Sequence, residues 1–132
     1  MPNVAIVRSF YDAIAAGDPG KVASLLHPDL SWTEAEGFPY FDGTWTQPSD
    51  VIEKLLVPLS RDWVGFAATP EEFITDGHVV VAFGAYSGTA KVSGKVMNAP
   101  FAHRWECRDG KLQRFNMYTD TLLVSRALSL QG

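Results

Sequence analysis

Two Asp-Gly pairs place the strongest constraint on how this chain can fold. Asp76-Gly77 and Asp109-Gly110 each separate stretches in which apolar and polar residues alternate, and Asp-Gly is a strong short-range signal for a tight hairpin turn. A further turn is indicated around Ala90-Lys91, with Gly88 or Gly94. The pattern predicts four consecutive antiparallel strands, at about 64–74, 78–89, 94–108 and 111–120.

The first half of the chain is predicted to be mainly helical. Apolar residues between Val4 and Ala16 recur at spacings of three and four, which places them on one face of a helix: Val4, Val7, Phe10, Tyr11 and Ile14. Gly17-Asp18-Pro19 ends this helix and begins a short second one over 19–26. Ser49-Asp50 begins a third helix through about residue 59, and 122–130 form a short helix or tail. Helices followed by a meander are typical of an α+β domain, and the length fits one domain over 1–132.

Composition excludes several classes of function. The formal net charge is −4, and no run of basic residues is interleaved with aromatic ones, so nucleic acid is not an expected partner. Cys107 is the single cysteine, which rules out an internal disulfide and favours a reducing cytoplasm. The three histidines and this cysteine have no metal-ligand spacing, and no apolar run reaches membrane-spanning length. We therefore expect a cytoplasmic protein with no metal, no cofactor and no membrane association.

Candidate site residues occur on two predicted strands and in the loop between two of the helical regions. Alternation over 30–34 puts Glu34 on the same face as Trp32. Residues 35–48 form an aromatic-rich loop that includes Tyr40 and Trp45, and such a loop usually covers something. Because side chains alternate between the two faces of a strand, three polar residues of the last strand share one face. A strand facing the core would carry such residues only beside a pocket or water. They are Asn116, Tyr118 and Asp120.

The order of these segments resembles a known family. It is carried by Leu-Leu-His-Pro-Asp-Leu-Ser-Trp at 25–32, Gly-Phe-Pro-Tyr at 37–40, Ala-Pro-Phe-Ala-His at 99–103 and Tyr-Thr-Asp at 118–120. The chain resembles SnoaL-like, ketosteroid isomerase-related members of the nuclear-transport-factor-two-like superfamily. The resemblance implies a cone-shaped, curved mixed or antiparallel sheet with three N-terminal helices packed on its concave face, a cystatin-like α+β roll. It also implies a homodimer through the sheet, for which the alternation of 96–107 supplies a candidate face.

The resemblance locates a catalytic base but not an oxyanion hole of the ketosteroid isomerase type. Such a site needs a carboxylate base and two donors for the enolate oxygen. The base position corresponds to Glu34, while the donor positions correspond to Phe10 and Ala102, whose side chains cannot donate. The similarity to SnoaL-like cyclases, which use an acidic residue on the last strand, instead implies Asp120 as a second acid or base.

The resulting hypothesis is a SnoaL-like isomerase, polyketide cyclase, hydrolase or dehydratase acting on a small, mostly apolar molecule with a carbonyl or epoxide. Glu34 and Asp120 carry protons in this hypothesis. If Ala102 faces the pocket, strand parity places Arg104 there too and His103 on the opposite face. The remaining predicted ligand contacts orient the substrate, balance charge or shape the pocket: Trp32, Tyr40, Trp45, His103, Arg104, Asn116 and Tyr118.

Plainer interpretations of the same residues stay open. Glu34 also fits a surface carboxylate at a strand end, and His103 fits a satisfied core or interface histidine. Asp120 fits an N-terminal cap of a helix beginning at Thr121. The alternative to an enzyme is a non-catalytic module on the same fold that binds a small ligand or a partner protein.

Overall fold

The computed structural model describes residues 2–41 and 43–131. Helices of the described residues are α1 (Pro2–Ala15), α2 (Pro19–Leu25), α3 (Pro48–Val51), α4 (Val57–Asp62) and α5 (Thr121–Leu128), with a π-helical segment, Ile52–Leu56, joining α3 to α4. Strands are β1 (Leu26–Thr33), β2 (Thr44–Trp45), β3 (Trp63–Asp76), β4 (Val79–Ala90), β5 (Val96–Arg108) and β6 (Lys111–Thr119). No helix in these two ranges is both long and apolar enough to cross a membrane.

One curved, unclosed sheet holds the six strands in the order β2-β1-β6-β5-β4-β3. The meander from β3 to β6 is antiparallel throughout, as the hairpin turns predicted. Both Asp-Gly turns are present, and Gly77 and Gly110 take positive φ values of 61° and 73° that suit glycine. β1 runs parallel to β6, so the helices and the meander connect two neighbouring strands of a mixed sheet.

The helices follow the predicted pattern, with one local difference. In α1 the periodic residues Val7, Phe10 and Tyr11 are buried. Asp18 caps α2 by accepting a hydrogen bond from the backbone N–H of Lys21 at 3.0 Å. The predicted third helix is instead α3, the π-helical segment and α4 in succession. π-helical turns are rare and occur frequently at functional sites, and this one contributes Ile52, Leu55 and Leu56 to the cavity described below.

The structure confirms the predicted alternation along β5 but reverses which face points inward. Its buried residues are Met97, Ala99, Phe101, His103, Trp105 and Cys107. His103 therefore faces the interior, whereas Ala102 and Arg104 lie on the outer face. Since the large side chains of Met97, Phe101 and Trp105 point inward, they do not form the outer face that the dimer argument assigned to 96–107.

Candidate active site

An apolar cavity of about 520 Å³ lies between the helices and the inner face of the sheet. Ligand pockets commonly have volumes of about 300–1,000 Å³. Its walls include Phe10, Leu55, Trp63, Phe66 and Phe115, and its buried titratable groups belong to Glu34, Tyr86 and His103. Asp18 and Ser60 contribute at exposed positions, and no lysine or arginine lines the cavity within the described part of the chain. Such a wall suits an uncharged ligand with few polar atoms.

Glu34 is the acidic group buried in this cavity. It follows Thr33, the last residue of β1, and its backbone N–H donates to the Gly43 carbonyl at 3.1 Å. The side chain retains only 5% exposure. Burial raises the pKa of Glu34 to about 8, and the nearby Trp32 indole N–H lowers the pKa by less. The carboxyl group is therefore mostly protonated at neutral pH but ionises within reach of it.

Two buried polar atoms of Trp32 and Glu34 have hydrogen-bonding capacity that no described residue satisfies. Trp32 Nε1 and Glu34 Oε2 are both buried, and neither has a hydrogen-bond partner among the residues that the structure describes. The indole N–H thus lies near the carboxyl group without reaching hydrogen-bond geometry. Buried polar atoms are usually satisfied, so the hydrogen-bonding capacity of these two atoms is an exception that needs an explanation.

His103 occupies the centre of a buried hydrogen-bond chain. Its Nδ1 lies 2.6 Å from Tyr11 Oη and its Nε2 lies 2.6 Å from Tyr86 Oη. Trp105 Nε1 donates to Tyr11 Oη at 3.1 Å. Burial holds the pKa of His103 well below 6.5, so the imidazole is neutral at physiological pH. The ring also stacks on Phe101 at a centroid distance of 3.9 Å.

The structure brings three of the sequence-predicted site residues to the cavity and leaves two aromatic ones beside it. Trp32, Glu34 and His103 line the cavity. Tyr40 instead donates its hydroxyl to Asp62 Oδ2 at 3.0 Å and accepts from Trp63 Nε1 at 2.8 Å. Trp45 is buried on β2, stacked on Phe41 at 4.3 Å. Both support the wall from outside the cavity lining.

The other predicted residues lie away from the cavity. Asp120 is exposed and caps α5 by accepting from the Leu123 backbone N–H at 3.2 Å, which is the capping role considered above. Tyr118 is 56% exposed.

The pairing of β5 with β6 explains why Asn116 and Tyr118 lie on the outer face of the sheet. Ala102 pairs with Tyr118 and Arg104 pairs with Asn116, so these residues share the outer face of the sheet. Arg104 donates there to Glu106, and not to an acid of the cavity.

Sequence reasoning missed Tyr86, whose hydroxyl is the closest polar partner of His103 in the cavity wall. Tyr86 is on the inner face of β4, where Val80 and Ala82 are also buried. Alternation along β4 alone could have suggested that face. Its proximity to His103 depends on the β4–β5 register, in which Ala82 pairs with His103. The turn at 91–95 is longer and less diagnostic than Asp-Gly, so the sequence did not predict that register.

The fold of a curved sheet packed on helices is shared with known proteins. Residues 7–115 match the model of the SnoaL-like domain. The chain belongs to this SnoaL-like family. No functionally curated protein matches it.

Solved structures agree over nearly the full length. An NTF2-like protein from Burkholderia thailandensis is 32% identical, with 98% of each chain covered and a TM-score of 0.91. TerC, co-crystallised with polyporic acid, is 30% identical, with 97% of this chain and 98% of TerC covered and a TM-score of 0.85. An epoxide hydrolase of the LEH-like type from M. tuberculosis is 17% identical over 96% of this chain and 89% of its own, with a TM-score of 0.76, which shows a shared fold.

Proposed function

We propose that this chain is an acid–base enzyme of the isomerase, cyclase, hydrolase or dehydratase type. Its substrate is a small, mostly apolar and uncharged molecule with a carbonyl or epoxide oxygen, and Glu34 moves the proton. The observation that carries the proposal is that Glu34 is 5% exposed in an apolar cavity and that its Oε2 has no hydrogen-bond partner among the described residues. A carboxyl group whose pKa lies near neutrality can act as either acid or base.

The charge of the cavity wall supports an uncharged substrate, and one solved structure supports an organic one. A carboxylate or phosphate ligand would need a compensating cation, and no arginine or lysine of the described residues lines the cavity. Arg104, predicted to balance charge, is paired with Glu106 on the outer face. TerC was co-crystallised with polyporic acid, which supports a small organic ligand for this chain.

Deuterium exchange into 2-tetralone tests proton transfer at Glu34. This ketone is small, uncharged and mostly apolar, and loss of its α-proton signals in D2O is followed directly by NMR. We expect the wild-type protein to accelerate exchange above buffer and Glu34→Gln to lose the acceleration. Glu36→Gln is the matched control, because Glu36 is exposed and two residues away. A Glu34→Gln protein that exchanges at the wild-type rate would contradict the role of Glu34.

A non-catalytic binding role is the second candidate. The observation in its favour is that Asp120 lies outside the cavity, which leaves Glu34 without the second acid of the sequence-based hypothesis. Saturable binding of 2-tetralone, measured by quenching of tryptophan fluorescence, with no exchange above buffer would favour this role.

We further propose that the outer face of the sheet mediates a homodimer. Strand register aligns Phe83, Ala102 and Tyr118 across three strands, and Phe83 and Tyr118 are exposed by 39% and 56%. Exposed aromatic residues in a row are typical of protein interfaces.

A further inference from the structure

The hydrogen-bond chain through His103 has a direction, which follows from the one member that can only donate. Trp105 Nε1–H donates to Tyr11 Oη. Tyr11 is buried, and burial raises the pKa of its hydroxyl above the ordinary value, so that hydroxyl keeps its proton. Among the described residues, the remaining partner of Tyr11 Oη is His103 Nδ1 at 2.6 Å. Satisfying the Tyr11 proton therefore requires Nδ1 to be the acceptor.

The tautomer of His103 follows from that assignment. A neutral imidazole has one donor nitrogen and one acceptor nitrogen, and burial keeps His103 neutral. With Nδ1 accepting from Tyr11, Nε2 carries the hydrogen and donates it to Tyr86 Oη at 2.6 Å. The reverse tautomer would leave the Tyr11 hydroxyl proton without an acceptor among the described residues, and Tyr11 does not line the cavity. The tautomer assigned here leaves over the proton of Tyr86 instead, which does line it.

In this tautomer the Tyr86 hydroxyl accepts a hydrogen bond from His103, and its own proton remains to be donated. Tyr86 is 8% exposed and lines the cavity, and His103 is its hydrogen-bond partner within the described residues. The Glu34 charge is close enough to help raise the pKa of Tyr86, although burial is the larger cause. Tyr86, with a proton still to donate, and Glu34 therefore line the same cavity.

We propose that Tyr86 is the hydrogen-bond donor to the ligand's carbonyl or epoxide oxygen, and that Tyr11 and His103 are positioning residues that hold its proton toward the cavity. This proposal rests on the proposed function: Glu34 transfers the proton, and Tyr86 is the donor to the substrate oxygen in the same site. It supplies from β4 a donor to the cavity, whose lining has no hydroxyl at Phe10. Donors held in place before reaction stabilise a developing oxyanion without reorganisation.

The tautomer is tested in ligand-free protein, independently of any catalysis. Nitrogen-15 NMR of labelled histidine distinguishes Nε2–H from Nδ1–H, and His103→Asn identifies the resonances among the three histidines. We expect neutral His103 with the hydrogen on Nε2. We expect Tyr11→Phe, which removes the hydroxyl donor to Nδ1, to shift the population toward Nδ1–H. A wild-type Nδ1–H tautomer or a charged imidazolium overturns the proposal.

The donor is tested by binding a matched pair, 2-tetralone and its hydrocarbon counterpart tetralin. We expect the wild-type protein to prefer the ketone by roughly tenfold, the worth of one hydrogen bond. Tyr86→Phe should lose this preference, and Tyr11→Phe should reduce it while leaving tetralin affinity unchanged. Tyr118→Phe, which removes a hydroxyl from the outer face, is the control and should retain it.

The two proposals fail in different ways. A ketone preference that depends on Tyr86, without exchange of the α-protons, contradicts catalysis by Glu34 and leaves the donor assignment standing. A wild-type protein with no ketone preference, or a Tyr86→Phe protein that retains it, overturns the donor assignment whatever the exchange rate. Equal loss of affinity for both probes in Tyr11→Phe would show a merely structural role for Tyr11 and overturn its positioning role.

Discussion

At the scale of single residues, the environment of Glu34 changes what an ordinary carboxyl group does. Burial beside Trp32 and the aromatic walls removes water from the charged form, and raises the pKa of Glu34 to about 8. The same burial makes Glu34 a source of pH-dependent instability as well as a candidate acid or base. Two predictions follow from this one group.

The first prediction concerns stability against pH. The unfolded chain ionises Glu34 near its ordinary pKa of 4.5, while the folded protein keeps the proton until about pH 8. Between these values the folded state binds one more proton, so the free energy of unfolding falls as pH rises, by up to about 1.4 kcal/mol per pH unit from this group. Glu34→Gln should remove this contribution, so its stability relative to wild type should grow from pH 5 to pH 8.

Urea denaturation of the wild type, Glu34→Gln and the exposed control Glu36→Gln at each pH measures this effect. The Glu36→Gln curve should run parallel to the wild type. Parallel curves for Glu34→Gln as well would show that Glu34 does not hold its proton in the folded state.

The second prediction concerns rate against pH. If ionised Glu34 removes the α-proton of 2-tetralone, the enzyme-catalysed exchange rate should rise with pH and level off above about pH 8, since the base form appears as the pKa is passed. The measurement is the NMR exchange rate after subtraction of the buffer rate at each pH. A rate that falls through the same range would assign Glu34 as an acid instead.

At the scale of elements, close approach between strands sets the shape of the cavity wall. Gly84 of β4 pairs with Pro70 of β3 and with Phe101 of β5. A Cβ at Gly84 would clash with the Thr69 carbonyl oxygen, and would stand 2.7 Å from the Phe101 ring. Phe101 in turn stacks on His103, so the missing side chain at Gly84 lets this aromatic layer form.

The third prediction is that Gly84→Ala destabilises the fold by about 1–3 kcal/mol, the usual cost of overpacking. Gly20→Ala is the control, because a Cβ there lies 3.6 Å from Asp18 Oδ1 in ordinary contact and α2 accepts alanine. Chemical denaturation compares the two variants with the wild type. A Gly84→Ala protein of wild-type stability would contradict the packing described here.

At the scale of the whole molecule, the sheet separates an interior that holds the cavity from an outer face with its own pattern. Phe83, Ala102 and Tyr118 form an apolar row on that face, next to the Arg104, Glu106 and Arg114 cluster. The interior face is closed by the helices, whereas no described residues cover this row fully. This asymmetry is the basis of the proposed homodimer.

The fourth prediction is that Phe83→Glu shifts the protein from dimer to monomer, because it places a charge at the centre of the apolar row. Light scattering after size-exclusion chromatography measures the mass directly. Val92→Glu is the control, since Val92 is 57% exposed in the β4–β5 turn, outside the strands of that face. A monomeric wild type, or a dimeric Phe83→Glu protein, would contradict the proposed interface.

The amino-acid sequence alone determined the class of fold and placed Glu34 on the same face as Trp32 at the end of a strand. Helical period in 4–16, Asp-Gly turns and strand alternation are local signals, because they depend on residues within one turn or one strand. They predicted α1, α2 and the meander, and with the resemblance they placed Glu34 beside Trp32 in a pocket. They were also sufficient to offer a capping role for Asp120, which the structure adopts.

Only the tertiary structure decided which polar residues meet. The face of β5 depends on the register across a turn at 91–95 that carries no specific signal, and a shift of one residue exchanges His103 for Arg104. The adjacency of Tyr11 and His103, 92 residues apart in sequence, arises from packing α1 against the inner face of the sheet. Burial is likewise a property of the assembled fold, and burial is what makes Glu34 and His103 neutral at the same pH.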